Sequence, residues 1–248
     1  MNCYRADLHL HSVLSPCGDL EMSPSHIVER AVAEHLDLMA ITDHNSTLHG
    51  PVVRQLAAEQ GIYVLFGAEV TTSEEVHCVC LFDTEPQRVE FQAYIEANIQ
   101  RIPNNVDYYG YQLVVDAEEN VVDEVDYLLI STTTQSIYEV QAKVASLGGL
   151  FIPAHIDRPK FSISSQLGFV PPDLQYDALE VSRYSTPSAM LKANPFIGRK
   201  RFVRSSDAHY IGDIAKQTTD FVMERLDFEN VRRALHGTHG CDVQVANY

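Results

Sequence analysis

Near the start of the chain, Asp7-Leu8-His9-Leu10-His11-Ser12 sets two histidines two residues apart between leucines. In a β-strand such residues share a face, so His9 and His11 present two imidazoles to one point while Leu8 and Leu10 turn to the core. That arrangement chelates a metal ion. Asp7 lies on the same face, where a carboxylate can orient a ligating imidazole through a hydrogen bond. Asp207 and His209 repeat the two-residue spacing late in the chain, which predicts a second strand ending in a ligand pair. Between the pairs, further donors stand at the ends of apolar runs: His44 after Leu38–Thr42, Glu69 after Ile62–Gly67, His77 near the start of Val76–Phe82, and His155 after Leu150–Ala154. Asp19 joins them from the first loop.

This donor set is nitrogen and oxygen without sulfur, which suits zinc, manganese, iron or magnesium rather than a structural thiolate site. Glu69, a carboxylate in an otherwise apolar run, is the natural bridge between two cations. The five cysteines, Cys3, Cys17, Cys78, Cys80 and Cys241, form no C-x-x-C pair. Reduced thiols are expected, with Cys78 and Cys80 packing as small apolar residues of a strand.

Positioning these donors needs elements that end at a common place. Ser23-Pro24 suits an N-cap and first turn, and the spacing of Ile27, Val28, Ala31, Val32 and Leu36 predicts a helix to about Leu36. A second helix follows, with Gly61 as its stop, and Val89, Phe91, Ile95 and Ile99 predict a third. Ser136 and Glu139 make a capping box for a helix closing at Gly148-Gly149, and a last helix runs from near Asp227 to Gly237. The stretch 104–126 is irregular and is expected to be a hairpin or an excursion.

Two more apolar runs, Ala178–Val181 and Arg201–Arg204, lead into Ser182-Arg183 and Ser205-Ser206. Seven such runs separated mostly by helices predict a mainly parallel sheet, closed as one seven-stranded barrel over residues 1–248, with its site at the C-terminal strand ends. His26 and His35 fall on the first helix, while His49, His236 and His239 are expected at surface or helix-end positions.

With 45% hydrophobic and 21% charged residues the chain has the composition of a soluble globular protein. It has neither a secretory leader pattern nor an apolar run near the roughly 20 residues that span a bilayer, so it is expected in the cytoplasm without a membrane partner. The formal net charge is −16. A broad grip on a polyanion is disfavoured, so a small phosphorylated substrate is expected and a long nucleic acid is not.

Taken in order, Asp7-Leu-His-Leu-His-Ser, Thr42-Asp-His-Asn, Gly67-Ala-Glu, His77, Pro153-Ala-His-Ile and Ser206-Asp-Ala-His resemble the motifs of the PHP family, the domain shared by bacterial DNA polymerase subunits and histidinol phosphatases. The resemblance implies a distorted seven-stranded (β/α)7 TIM-like barrel carrying two or three divalent metal ions. By motif position, His9, His11, Glu69 and Asp207 would hold one ion and Glu69, His77 and His155 a second. His44, His209 and a first-loop residue would hold a third. Some relatives supply a histidine from that loop. Here it reads Ser15-Pro-Cys-Gly-Asp19, which makes Asp19 the leading candidate and Cys17 the second. Asp43 is either a ligand or a partner that orients one.

The chemistry implied is hydrolysis of a phosphate ester such as a nucleotide, sugar phosphate or short oligonucleotide. Arg158 and Arg183 are placed to hold the phosphate in a fork of N–H donors, with a salt bridge to a carboxylate as their other reading. His209 or a water serves as proton donor to the leaving group. Amide or ring hydrolysis on a similar barrel is the alternative, although no lysine stands at a strand end to bridge metals. A non-catalytic metal-binding module is the other, although almost every ligand position is filled. The lack of extra domains argues against a polymerase subunit.

Overall fold

A computed structural model of the chain describes residues 1–194, 197 and 201–245. The first half runs β1 (Asn2–Leu10), α1 (Pro24–Ala33), β2 (Leu38–Ile41), α2 (Gly50–Ala58), β3 (Tyr63–Thr71), β4 (His77–Phe82) and α3 (Glu85–Asn98). The excursion follows as α4 (Val106–Tyr109), β5 (Leu113–Val115) and β6 (Val121–Glu124), then α5 (Ile137–Ser146), β7 (Leu150–Pro153) and α6 (Ile163–Leu167). The chain continues through β8 (Leu179–Glu180), α7 (Pro187–Ala193), β9 (Phe202–Val203), β10 (Thr219–Met223), α8 (Phe228–His236) and β11 (Asp242–Val245).

Seven strands form one curled, half-barrel sheet in the order β11-β10-β1-β2-β3-β4-β7, so the expected closed ring of mainly parallel strands is corrected. Only β1–β2 and β2–β3 are parallel; the other four pairings are antiparallel. The reason lies in connection length. Residues 72–76 are too few for a parallel return, which needs a crossover of about a dozen residues or more, so β4 must fold back on β3 as a hairpin. Thr71 then pairs with His77, and Cys78 with Pro153 of β7. The ends of β1, β2, β3 and β7 and the start of β4 therefore meet along one edge, which is why His77 opens its strand while the other donors follow theirs.

Of the seven runs expected in the sheet, β8 and β9 instead form their own two-stranded parallel pair. Backbone bonds fasten this pair and the loop after it to the sheet: Ile156 N donates to Glu180 O at 2.9 Å, and His11 N to Ala208 O at 3.0 Å. β10 and β11 take the opposite edge. Their short alternating pattern, with Thr219, Phe221 and Met223 buried, fits an antiparallel strand with one covered face.

Several elements end where local chemistry directs. Ser23 caps α1, which stops at Ala33, short of the expected Leu36; the Ser136–Glu139 capping box opens α5, and α8 runs from its Asp227 cap to a left-handed Gly237. Ile27, Val28 and Ala31 of α1 pack against Val53 and Ala57 of α2 and Met39 and Ile41 of β2. Cys78 and Cys80 are fully buried with Phe82, Phe91 and Phe151. The excursion is a β5–β6 hairpin held by the buried Gln112, which donates to Val125 O and Tyr127 O and accepts from Leu129 N. Among the described residues no helix is long and apolar enough to cross a membrane.

Candidate metal centre

The centre is built around one carboxylate. Glu69 sits in β3, fully enclosed, and five imidazoles from strands and from the loops that follow them converge on it. Its Oε1 lies 2.9 Å from His77 Nδ1, 3.0 Å from His155 Nε2 and 3.3 Å from His9 Nε2. Its Oε2 lies 3.0 Å from His44 Nδ1 and 3.4 Å from His11 Nε2. Burial raises the pKa of such a group, but the surrounding His77, His9 and His44 outweigh it and hold Glu69 well below the ordinary carboxylate range.

His9, His11, Glu69 and Asp207 gather as one group of donors. His9 Nε2 is 3.3 Å from His11 Nε2 and 3.5 Å from Asp207 Oδ1, and His11 Nε2 is 3.2 Å from the same oxygen. A tetrahedral shell with nitrogen and oxygen donors at about 2.0–2.1 Å from an ion places them about 3.3–3.4 Å apart, so the spacing fits a divalent metal. Two further groups have donor atoms within 4.8 Å of one another: His44 with Glu69 and His77, and His11 with His44 and His209. His155, which motif position puts with Glu69 and His77, reaches the same Glu69 oxygen. Buried His44 Nδ1, which faces Glu69, makes no hydrogen bond, as a nitrogen awaiting a cation would not.

The loop that was to supply a third-ion ligand is arranged differently from expectation. Asp19 Oδ1 accepts from Glu21 N at 2.9 Å, and Asp19 belongs to none of the three donor groups. Cys17 is exposed at the rim of the centre, near His44 and His209, and like Asp19 it belongs to none of the three donor groups. Burial raises this thiol, yet the two imidazoles bring it down to about 6.

Behind the donors are the groups that orient them. Glu180 places Oε2 3.0 Å from His9 Nδ1 and accepts from His155 N at 2.9 Å, so one carboxylate fixes two members of the centre. Sequence reasoning missed it; the signal was a lone Glu in the apolar run Ala178–Val181, the same signal that marked Glu69. Asp7 does not orient a histidine. Its oxygens accept from Ser206 N and Ala215 N, both at 3.0 Å, which ties β1 to the Asp207 loop, and burial lifts its pKa to about 6.

Asp43 accepts from Ser12 N at 2.7 Å, Ser12 Oγ at 2.6 Å and Ser15 Oγ at 2.7 Å, while Ser15 Oγ lies 3.0 Å from His11 Nδ1. It thus steers His11 and joins no donor group. His49, expected at a surface or helix end, is buried at the N-cap of α2. Its Nε2 accepts from Val115 N at 3.0 Å and its Nδ1 lies 2.6 Å from Ser12 Oγ.

Asp207 and His209 do not lie in a strand, because β9 ends at Val203. Their loop is held by the Leu10–Ala208 bridge, and left-handed backbone at Asp207 (φ 51°) and His155 (φ 29°) turns those side chains inward. For residues other than glycine this costs about 1–3 kcal/mol each and persists only where surrounding contacts impose it. Arg158 Nη2 lies 2.5 Å from Asp207 Oδ2, so its guanidinium is in a salt bridge. Arg158 also lines a cleft of about 90 Å³ with Arg183, Lys216, Ser182, Ser206 and Gln217, directly beside His155 and Asp207. Arg183 bonds Tyr184 Oη at 2.8 Å and lies over its ring.

Comparison with known proteins gives these groups a setting. YqxK, an uncharacterised protein of Bacillus subtilis, is 33% identical over 131 residues, covering 48% of this chain and 33% of that protein. The 3',5'-nucleoside bisphosphate phosphatase of Chromobacterium violaceum is 38% identical over 73 residues, 29% of this chain and 25% of its own length. These matches therefore span a third or less of the curated relatives. Among solved structures, the lesion-specific endonuclease Q of Pyrococcus furiosus superposes with a TM-score of 0.71 at 19% identity, over 98% of this chain and 58% of its own.

A further endonuclease Q structure holds a 27-mer duplex substrate with an abasic lesion at the active site. That finding overturns the expectation that a long nucleic acid is excluded. Net charge sums the whole surface, whereas a phosphate meets only the groups around it, and here Arg158, Arg183 and Lys216 share one cleft with Glu180, Asp207 and Asp213. The model of the PHP domain matches residues 7–153, more than half of the sequence, and the chain belongs to the PHP domain family.

Proposed function

We propose that residues 1–248 work as one catalytic unit, a phosphoesterase that uses two or three divalent ions to cleave a phosphate ester with water. The observation that carries this reading is the Glu69 carboxylate among five imidazoles, with Asp207 beside it, opening on a cleft lined by three cationic side chains. When bound, the ions lower the pKa of water and neutralise charge on the phosphoryl oxygens. His9, His11, Glu69 and Asp207 hold one of them, and Glu69 shares its second oxygen with the histidines of the next. His209 serves with His44 as a ligand of a further ion rather than as a proton donor.

Arg158 is pinned to Asp207, so it stands at the boundary between donors and cleft with N–H groups left over for a phosphoryl oxygen. Arg183 lies further along the same cleft, where it would meet a second charged group of the substrate, while Lys216 there is paired with Asp213. This favours a nucleotide or an oligonucleotide over an uncharged ester, and the likeness to a nucleoside bisphosphate phosphatase and to the fold of endonuclease Q supports it.

The test is a hydrolysis screen with the protein loaded separately with manganese, zinc, iron or magnesium. It should span nucleotides, sugar phosphates, single-stranded oligonucleotides and duplexes with and without an abasic site. Phosphate or nucleotide release with at least one metal is expected. Failure on every ester by protein that demonstrably holds metal would remove the reading.

A further inference from the structure

We infer that His49 is a positioning residue of the metal centre: a backbone N–H of the β5–β6 hairpin decides which of its nitrogens carries the proton, and the decision reaches His11 through Ser12, Asp43 and Ser15. His49 stands at the N-cap of α2, where a side chain ordinarily bonds the first turn of its own helix, yet it makes no such bond. Its buried ring is bonded instead to the hairpin on one side and to the loop after β1 on the other.

Each hydrogen bond in this chain leaves the next a single direction. Val115 N can only donate, so His49 Nε2, 3.0 Å away, holds a lone pair and the proton of the neutral ring is on Nδ1. That N–H donates to Ser12 Oγ at 2.6 Å, and the Ser12 hydroxyl proton is left for Asp43 Oδ2 at 2.6 Å. Asp43 Oδ1 accepts from Ser12 N and from Ser15 Oγ, both at 2.7 Å. Ser15 Oγ, its own proton given to Asp43, accepts from His44 N at 3.2 Å and from His11 Nδ1 at 3.0 Å. His11 therefore carries its proton on Nδ1 and turns the lone pair of Nε2 toward Glu69 and Asp207, the form that binds a cation.

All five side chains are buried, so water offers no substitute partner. With the opposite tautomer of His49, the Ser12 hydroxyl would turn to the ring and leave Asp43 Oδ2 without a bond. A carboxylate held at one oxygen is free to pivot away from Ser15. The hairpin that supplies Val115 N is itself anchored, with Val114 and Leu48 packed against Leu14, Val125 and Leu129. An excursion outside the main sheet thus takes part in setting a ligand. The inference rests on the metal-binding part of the proposed function and not on its reaction.

The experiment uses the full chain and two substitutions that divide the imidazole's roles, since Asn reproduces the Nδ1 donor and Gln the Nε2 acceptor. In a chelator competition, His49→Asn should keep the wild-type affinity for manganese. His49→Gln should weaken it about tenfold, the lower end of the range for groups supporting a ligand, with an unchanged far-ultraviolet circular dichroism spectrum. If His49→Gln fails to fold, Ser12→Ala cuts the same chain one step on and should give the same loss. Nitrogen-15 NMR of the metal-free wild type reads the tautomers directly, and the proton is expected on Nδ1 of both His49 and His11. A proton on Nε2 of either ring would overturn the inference whatever the variants do. Equal losses in folded His49→Asn and His49→Gln, or full affinity in His49→Gln or Ser12→Ala, would overturn it too. Failure to hydrolyse any ester by protein that holds metal would remove the proposed reaction and leave these readings unchanged.

Discussion

The donors from β1 to β4 and those between 155 and 209 reach the same centre by different physical means. In the first group His9, Glu69 and His77 are placed by strand register, where a shift of one residue would turn each side chain to the opposite face. In the second, His155, Asp207 and His209 follow short strands and are aimed by left-handed backbone, the Leu10–Ala208 bridge and the carboxylates of Asp7 and Glu180. Register resists perturbation because the whole sheet enforces it. Loop geometry depends on a few bonds, each of which can be removed singly.

The largest effect should come from the hub of the strand-held half. Glu69→Gln takes the charge from the midpoint of five imidazoles, and metal content and turnover should both be lost, with hydrolysis falling by about a thousandfold or more, equivalent to about 4 kcal/mol. Asp207→Ala removes a ligand from the loop-held half. Turnover should vanish there too, but metal analysis should find ions retained on the Glu69 side. Equal metal loss in the two variants would show that the halves do not bind independently.

Glu180→Gln probes orientation alone. It keeps the size of the side chain but weakens its hold on His9, and metal affinity should drop by about 10–100-fold, the usual range for a group supporting a ligand. A competition titration with a chelator measures this, and unchanged affinity would assign Glu180 to packing. Arg158→Ala should have the smallest effect. Loss of a charge-assisted contact to substrate, worth about 1.5–3 kcal/mol, should raise KM or lower kcat by about 10–100-fold with metal content intact. Unchanged kinetics with a lowered Tm would leave only the Asp207 salt bridge as its role.

Legibility in the sequence divides along the same line. Side chains governed by local rules could be read: the Ser136–Glu139 capping box, the His9–His11 spacing, and the β5–β6 hairpin, one of two shapes expected for its stretch. What depended on chain direction could not. Whether β4 runs with or against β3 was implicit in the five residues between them, but the pattern of apolar runs says nothing about it. Glu180 and His49 were passed over because one acid in a strand, or one histidine before a helix, becomes informative only when its partners are known.

The five-residue link between β3 and β4 also bears on how the centre comes into being. Glu69 and His77 are eight positions apart, and a hairpin closes in about 1–10 μs, so these two can meet before the rest of the sheet exists. Asp207 must find His9 across almost the entire chain, and closing a longer loop carries a larger entropic cost. On the ribosome the separation widens to seconds, because synthesis adds about 5–20 residues per second. The bridging carboxylate and its first imidazole thus stand ready well before the last wall of the site arrives, and a refolding chain should acquire affinity for an ion earlier than it acquires a closed cleft.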